Sequence, residues 1–443
     1  MAHPRLSTLP APLLTDIFSY VLKDSDYLPL LLISRHLRGV AEDVIYRDII
    51  ENLLHVPDPC RRLHLLFRTL FDRRDLASRV RSLTIKCARD ILSPPIQSGA
   101  VEEHFIRELQ LPGPDGWLKG CEDNFPEAYI TLLMLVTPNL LHLKIESGYM
   151  SQAFPDTFHP VALASFPEGR RFRSLRSLTY GAGKSQRALD MTPFSSVVPF
   201  FYLPSLKELN LTGLFGRFHG WIDDEKPTTK IEHLSLCGFA LDMEHVEEVL
   251  TACPRLITIS VGAKYKPSSI FRAYGNLGRA LLRVRSTIEE IDISYGEGVG
   301  FEQINPSTPH PHINEKMCTL ADFPCLVDIR IPLVPYLGAV PQEALDLERF
   351  LPKRLETLRF YDDIWAVDAE ENAELYWSTL FHRLHRLLSN KFLPALYEVN
   401  FFIQESAGWV DFQEGIEGLQ EIADPIGIAI RYWEVAHDQQ YDE

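Results

Sequence analysis

A chain of 443 residues that is 46% hydrophobic and 23% charged has material for two or three domains, or for one extended repeat array. Its formal charge of −16, with no long basic stripe to displace counterions from phosphate, argues against nucleic acid and anionic membrane as partners. Seven cysteines, none in a C-x-x-C pair, form neither a disulfide framework nor a zinc site, so no cofactor or metal is expected.

The N-terminal "MAHPRLSTLP" lacks a basic region followed by an apolar stretch, and the apolar runs at 28–33 and 130–136 are too short to span a bilayer. A cytoplasmic or nuclear location is expected. In "LPAPLLTDIFSYVL" (9–22), Leu13, Ile17 and Val21 fall on one helical stripe and Leu14, Phe18 and Leu22 on the adjacent one. Asp24 or Ser25 can cap a second short helix through "YLPLLLI" (27–33). Ser34 precedes a third, whose Leu37, Val40, Ala41 and Val44 share a side. Three short helices in about forty residues make a marginal core, which needs the next domain or a partner to complete it.

The string L-P-x-x-L-L-x-x-I-F from Leu9, followed by L-L-x-I-S-R-x-L-R-x-V-A and Tyr46, resembles an F-box over residues 9–47. Pro12 departs from the family, which commonly has Glu there, but proline is tolerated in a first helical turn. The resemblance implies docking onto the small adaptor subunit of an SCF-type ubiquitin ligase, and through it a cullin. Carried over position by position, the adaptor-facing residues are Leu9, Pro10, Leu13, Leu14, Ile17, Ser34, Arg35 and Leu37.

Beyond the F-box, "RRLHLLFRTLF" (61–71) predicts a helix that welds it to the first repeat, with Pro57 and Pro59 breaking the chain before it. From residue 80 onward an L-x-x-L-x-hydrophobic unit recurs, beginning at residues 80, 140, 175, 206, 231, 256, 288, 326, 355 and 396. Amphipathic stretches such as 242–253 and 371–390 lie between the units, giving a strand, loop, helix cycle in which each unit buries its apolar residues against its neighbours. Pro138, Pro204, Pro254, Pro324 and Pro394 just upstream are read as ending a helix and setting up an extended strand entry. The first 60-residue spacing leaves room for a further, poorly marked repeat near 101–120, and "IGIAIRYW" (426–433) reads as a capping strand.

The chain thus resembles the fungal F-box/leucine-rich-repeat proteins. The expected fold is α/β: a three-helix F-box at 1–50, a helical linker at 51–79, and an irregular leucine-rich-repeat solenoid with a curved parallel sheet at 80–443. Candidate chemistry is sparse. "YGAGKS" (180–185) has Leu178 where a phosphate loop needs its first Gly, and "GEGVG" (296–300) has no helix behind it. "HPH" (310–312) lacks companion ligands, and His382 and His385 are spaced three apart, where zincin chemistry needs four and an intervening Glu. The acidic runs at 222–226 and 368–372 read as solvated surface. Trp221 and Trp365, in apparent loops after repeat strands, are the candidate anchors for an unknown protein substrate. The expected function is substrate recruitment to the ligase without bond chemistry; the alternative is a repeat scaffold acting outside one.

Overall fold

The computed structural model describes residues 9–21, 32, 34–54, 56–87, 104, 106, 107, 121, 126–147, 172–181, 192–216, 218–239, 246–264, 275–295, 319–337, 341–362, 373–403 and 409–434. They form an α/β chain with parallel strand pairing. Two compact units divide it, one of residues 1–183 with 196–206 and one of residues 184–195 with 207–443. The division falls between the strand Ser177–Gly181 and the strands that follow it.

In the first unit, α1 (Ala11–Val21) packs on α2 (Arg35–Arg47). Ser34 caps α2, its hydroxyl oxygen accepting the Leu37 N–H at 3.2 Å. The chain passes directly into a strand, β1 (Asp48–Asn52), across the boundary expected between F-box and helical linker. The linker helix is α3 (Pro59–Asp72), capped by Asp58 through the Arg61 N–H at 3.0 Å with Pro59 in its first turn. Arg73 and Arg79 fasten the segment after α3 to α2: Arg73 lies 3.5 Å from Glu42, and Arg79 reaches Asp43 at 2.8 Å and the Gly39 carbonyl at 3.1 Å.

Three repeat strands complete this unit: β2 (Ser82–Cys87), β3 (His142–Ser147) and β4 (Ser177–Gly181). Between β2 and β3 comes α4 (Pro126–Val136), whose residues 129–136 are all buried because it is apolar all round. It packs on α3, with His64 and Tyr129 5.7 Å apart. The strands run in order β1–β2–β3–β4 with Asp48, Ser82, His142 and Ser177 aligned. Because β2 pairs directly with β3, the extra repeat expected near 101–120 adds no strand between them.

The second unit carries β5 (Glu208–Phe215), β6 (His233–Phe239), β7 (Thr258–Lys264), β8 (Glu290–Tyr295), β9 (Asp328–Pro332), β10 (Thr357–Tyr361), β11 (Glu398–Ile403) and β12 (Ala429–Glu434), each parallel to the next. A two-residue strand, Thr192–Pro193, flanks β5. Just ahead of β7 to β11, and at the first residue of β12, one backbone rung repeats: Ile257 donates to Glu232, Glu289 to Ile257, Val327 to Glu289, Glu356 to Val327, Tyr397 to Glu356 and Ala429 to Tyr397, all within 2.7–3.0 Å. This periodic bond holds units of unequal length in one register.

The prolines act differently from the expectation. In Cys253-Pro254-Arg255-Leu256, Leu256 donates to the Cys253 carbonyl at 3.2 Å, and Leu326 and Leu396 bond Phe323 and Leu393 in the same way. Each proline sits second in a one-turn reversal, where its fixed φ is preformed, and is not an extended entry. The turn aims the repeat's first leucine inward.

Helices cover the inner face, among them α5 (Val246–Thr251), α6 (Ala373–Ser389) and α7 (Trp409–Ala423). Where α6 meets α7 on β11, Trp377, Phe381, Phe401 and Phe412 interlock, with Trp377 edge-on to Phe412 at 4.9 Å. Gly415 permits that approach, since a Cβ there would run into the Phe381 ring. Arg383 is buried and donates to the carbonyls of Pro341, Gln342, Ala344 and Leu345, closing the turn ahead of a short helix, Leu347–Phe350.

Candidate functional site

Helix α1 separates its two apolar stripes. Leu14 and Phe18 turn inward onto Leu37 and Val40 of α2, with Leu9, Val44 and Ile45 closing the cluster. Leu13 and Ile17 remain outside, 52% and 37% exposed, and Pro10 beside them is exposed too. The eight expected adaptor-facing residues therefore split. Pro10, Leu13, Ile17 and Arg35 lie on the surface and Leu9 is half-buried. Leu14 and Leu37, at 0% and 3% exposed, correct the expectation: their side chains form the contact between α1 and α2 and cannot face a visitor without opening it. Ser34 is partly exposed, with its side chain engaged in capping. The His36 Nε2 lies 3.3 Å from the Leu9 carbonyl and links the start of α1 to α2.

Charges near α2 are paired. Glu42 meets Arg38 at 3.1 Å, and Arg73 also holds Asp75 at 2.8 Å. That hydrogen bond from Arg73 lowers the Asp75 carboxyl to about 2. Leu65 on α3 and Ile50 on the outward side of β1 are further exposed apolar residues of this unit.

A second surface comes from the strand register of the second unit. Side chains alternate across a sheet, and the inward ones (Ile291, Ile329, Leu358, Val399) are buried. The outward ones form three rows across the strands. The first row aligns Glu290, Asp328, Thr357, Glu398 and Ala429. The second aligns Asp292, Arg330, Arg359, Asn400 and Arg431. The third aligns Pro332, Tyr361, Phe402 and Trp433.

These rows interact. Arg359 pairs with Asp328 at 3.0 Å, Arg431 with Glu398 at 2.7 Å, and Arg330 approaches Asp292 at 3.7 Å. Arg330 also lies over the Tyr361 and Phe402 rings, 5.6 and 5.2 Å from their centroids. Phe402 stacks on Trp433 at 5.2 Å with 15° between planes, and meets Tyr361 at 5.2 Å. Burial raises the carboxyls of Asp292 and Asp328 despite the arginines beside them, and raises the Tyr361 hydroxyl. Asn400, between Arg359 and Arg431, is 3% exposed and its Oδ1 accepts no hydrogen bond; Asp292 Oδ1 and Arg330 Nε are likewise buried without a hydrogen-bond partner.

Of the anchors expected from sequence, Trp221 is half-buried, edge-on to Phe218 at 4.9 Å, and so is packed in its own unit more than offered to a target. Trp365 lies outside the described residues, as do "GEGVG", "HPH", residues 368–372 and the end of "YGAGKS". His382 and His385 are exposed on α6. Sequence reading missed Arg330, Asn400, Phe402, Arg431 and Trp433. Trp433 is 41% exposed and was signalled only as part of a capping strand. A cavity of about 350 Å³ opens between Leu387 and Leu388 at the end of α6 and Pro425–Ile428, with Lys391 the charged side chain in its lining. Among the described residues no group of three His, Cys, Asp or Glu could hold a metal, and no helix is long and apolar enough to cross a membrane. No protein-family model matches the chain, and no curated protein matches it either.

Proposed function

We propose that the protein is the substrate receptor of an SCF-type ubiquitin ligase, gripping the adaptor subunit by α1 and α2 and a target by the outward sheet face. The observation that carries the adaptor half is the division of labour on α1: Leu14 and Phe18 complete the internal core while Leu13, Ile17 and Pro10 are left uncovered. Adjacent exposed leucine and isoleucine side chains on a short helix are costly in water and serve as anchors once a partner buries them. The receptor performs no bond chemistry. It raises the effective concentration of target lysines near a charged conjugating enzyme.

The test is co-purification of the tagged full chain with adaptor and cullin, against a Leu13→Asp, Ile17→Asp double variant. Both positions are solvent-facing, so the variant keeps its fold and loses both partners. Equal recovery of adaptor by the two forms sinks the proposal.

A further inference from the structure

We propose that the outward face of β9–β12 is a binding site for an extended peptide segment that places an acidic residue beside a large aromatic or aliphatic one. This names the target class for the receptor reading above and rests on it only for the consequence of binding.

Three features converge. The first is Asn400. A primary amide that is 3% exposed and whose oxygen has no hydrogen-bond partner is a cost that a folded chain normally avoids. It points from the sheet between Arg359 and Arg431, where its amide matches the N–H and C=O of one peptide group in an extended chain.

The second is charge. Arg431 and Glu398 pair at 2.7 Å, but the arginine side chain is 59% exposed and the glutamate 15%. The arginine presents the outer charge of the pair and retains N–H donors for a second carboxylate. Although the whole chain is acidic, this spot favours an anionic side chain. The third is the aromatic row. Phe402 and Trp433, stacked in parallel one residue pair beyond Asn400 and Arg431, form a ledge open at the tryptophan end. Backbone amide, carboxylate and apolar side chain are thereby received at adjacent points about two residues apart along the strands, the reach of a dipeptide.

The experiment selects a phage-displayed random dodecapeptide library on the full-length protein, synthesises the enriched peptides with a fluorescent label, and measures anisotropy against wild type, Asn400→Val, Arg431→Glu and Trp433→Ala. The expected consensus pairs Asp or Glu with Phe, Tyr, Trp or Leu, and each variant weakens binding about tenfold or more. Replacing the peptide's acid by Lys restores binding to Arg431→Glu. Because the buried Asn400 oxygen satisfies nothing inside the fold, Asn400→Val melts at or above the wild-type temperature. No enriched consensus, peptides that bind all four proteins equally, or a melting temperature several degrees lower in Asn400→Val each overturn the proposal. Adaptor recovery is scored on the same variants. Intact peptide binding without adaptor recovery would overturn the ligase reading alone, and the reverse would overturn this site alone.

Discussion

Neighbouring leucines on α1 should respond oppositely to truncation. Leu14 is fully buried against α2, so Leu14→Ala loses its transfer free energy and leaves a cavity, together about 3 kcal/mol. Leu13 is 52% exposed, so Leu13→Ala loses only about half of a leucine's burial, ~1 kcal/mol at most. The readout is hydrogen exchange of the backbone amides in 11–21, which reports local opening of the helix. At about 1.4 kcal/mol per tenfold, Leu14→Ala accelerates exchange roughly 100-fold and Leu13→Ala less than roughly fivefold. Against the adaptor subunit the order reverses. Leu13→Ala loses an anchor worth ~2 kcal/mol, a roughly 30-fold weaker complex, with the helix still closed. Equal acceleration by the two substitutions would refute the assignment of the stripes. Unchanged adaptor affinity in Leu13→Ala would refute the anchor.

Gly415→Ala should destabilise the second unit by about 1–3 kcal/mol, seen in calorimetry, because the added methyl meets the Phe381 ring while Phe381 is held by Phe401 and Phe412. Arg383→Met should cost ~3 kcal/mol or more in urea unfolding, since four carbonyls lose the buried donor that gathers them; Arg383→Lys recovers only part, lacking the planar fork. Asp75 has its carboxyl lowered from 3.8 to about 2 by the Arg73 hydrogen bond, so its contribution is present above pH 3.8 and is lost as pH falls towards 2. Melting of the first unit should show that loss, and Asp75→Asn should flatten the curve in that window. Cys253, its thiol pushed up to about 11 by burial, should resist iodoacetamide at pH 8 in the native protein and react once urea unfolds it.

The repeat strands were legible because their signal is sequential. In "LVDIRI", Leu326, Ile329 and Ile331 are buried, and the same inward triad recurs as Leu355, Leu358 and Phe360, and as Leu396, Val399 and Phe401. A parallel strand covered by helices on one side writes its core at fixed spacing, whatever the length of the loop before it. β1 escaped for the converse reason. As the end strand of its sheet it buries little: in "DIIEN" only Ile49 is buried and Ile50 faces outward, so no leucine pattern marks it. The α1 stripes were visible as two apolar rows, but which would meet α2 was not, since both are equally apolar and only the docking of Leu37 and Val40 chooses between them.

The sheet face is of another kind. Asp292, Arg330, Arg359, Asn400 and Arg431 each read as the ordinary polar position of a strand, and up to 139 residues separate members of one row. Their meeting is made by the backbone rung that resets the register at every repeat, from Glu289 to Ala429. Inward positions are constrained by packing in each repeat alone, so any single strand reveals them. Outward positions acquire meaning only across strands, so a lone buried amide such as Asn400 becomes conspicuous only when Arg359 and Arg431 stand on either side of it. A chain of repeats can therefore keep its core pattern while its outward face changes one residue per repeat.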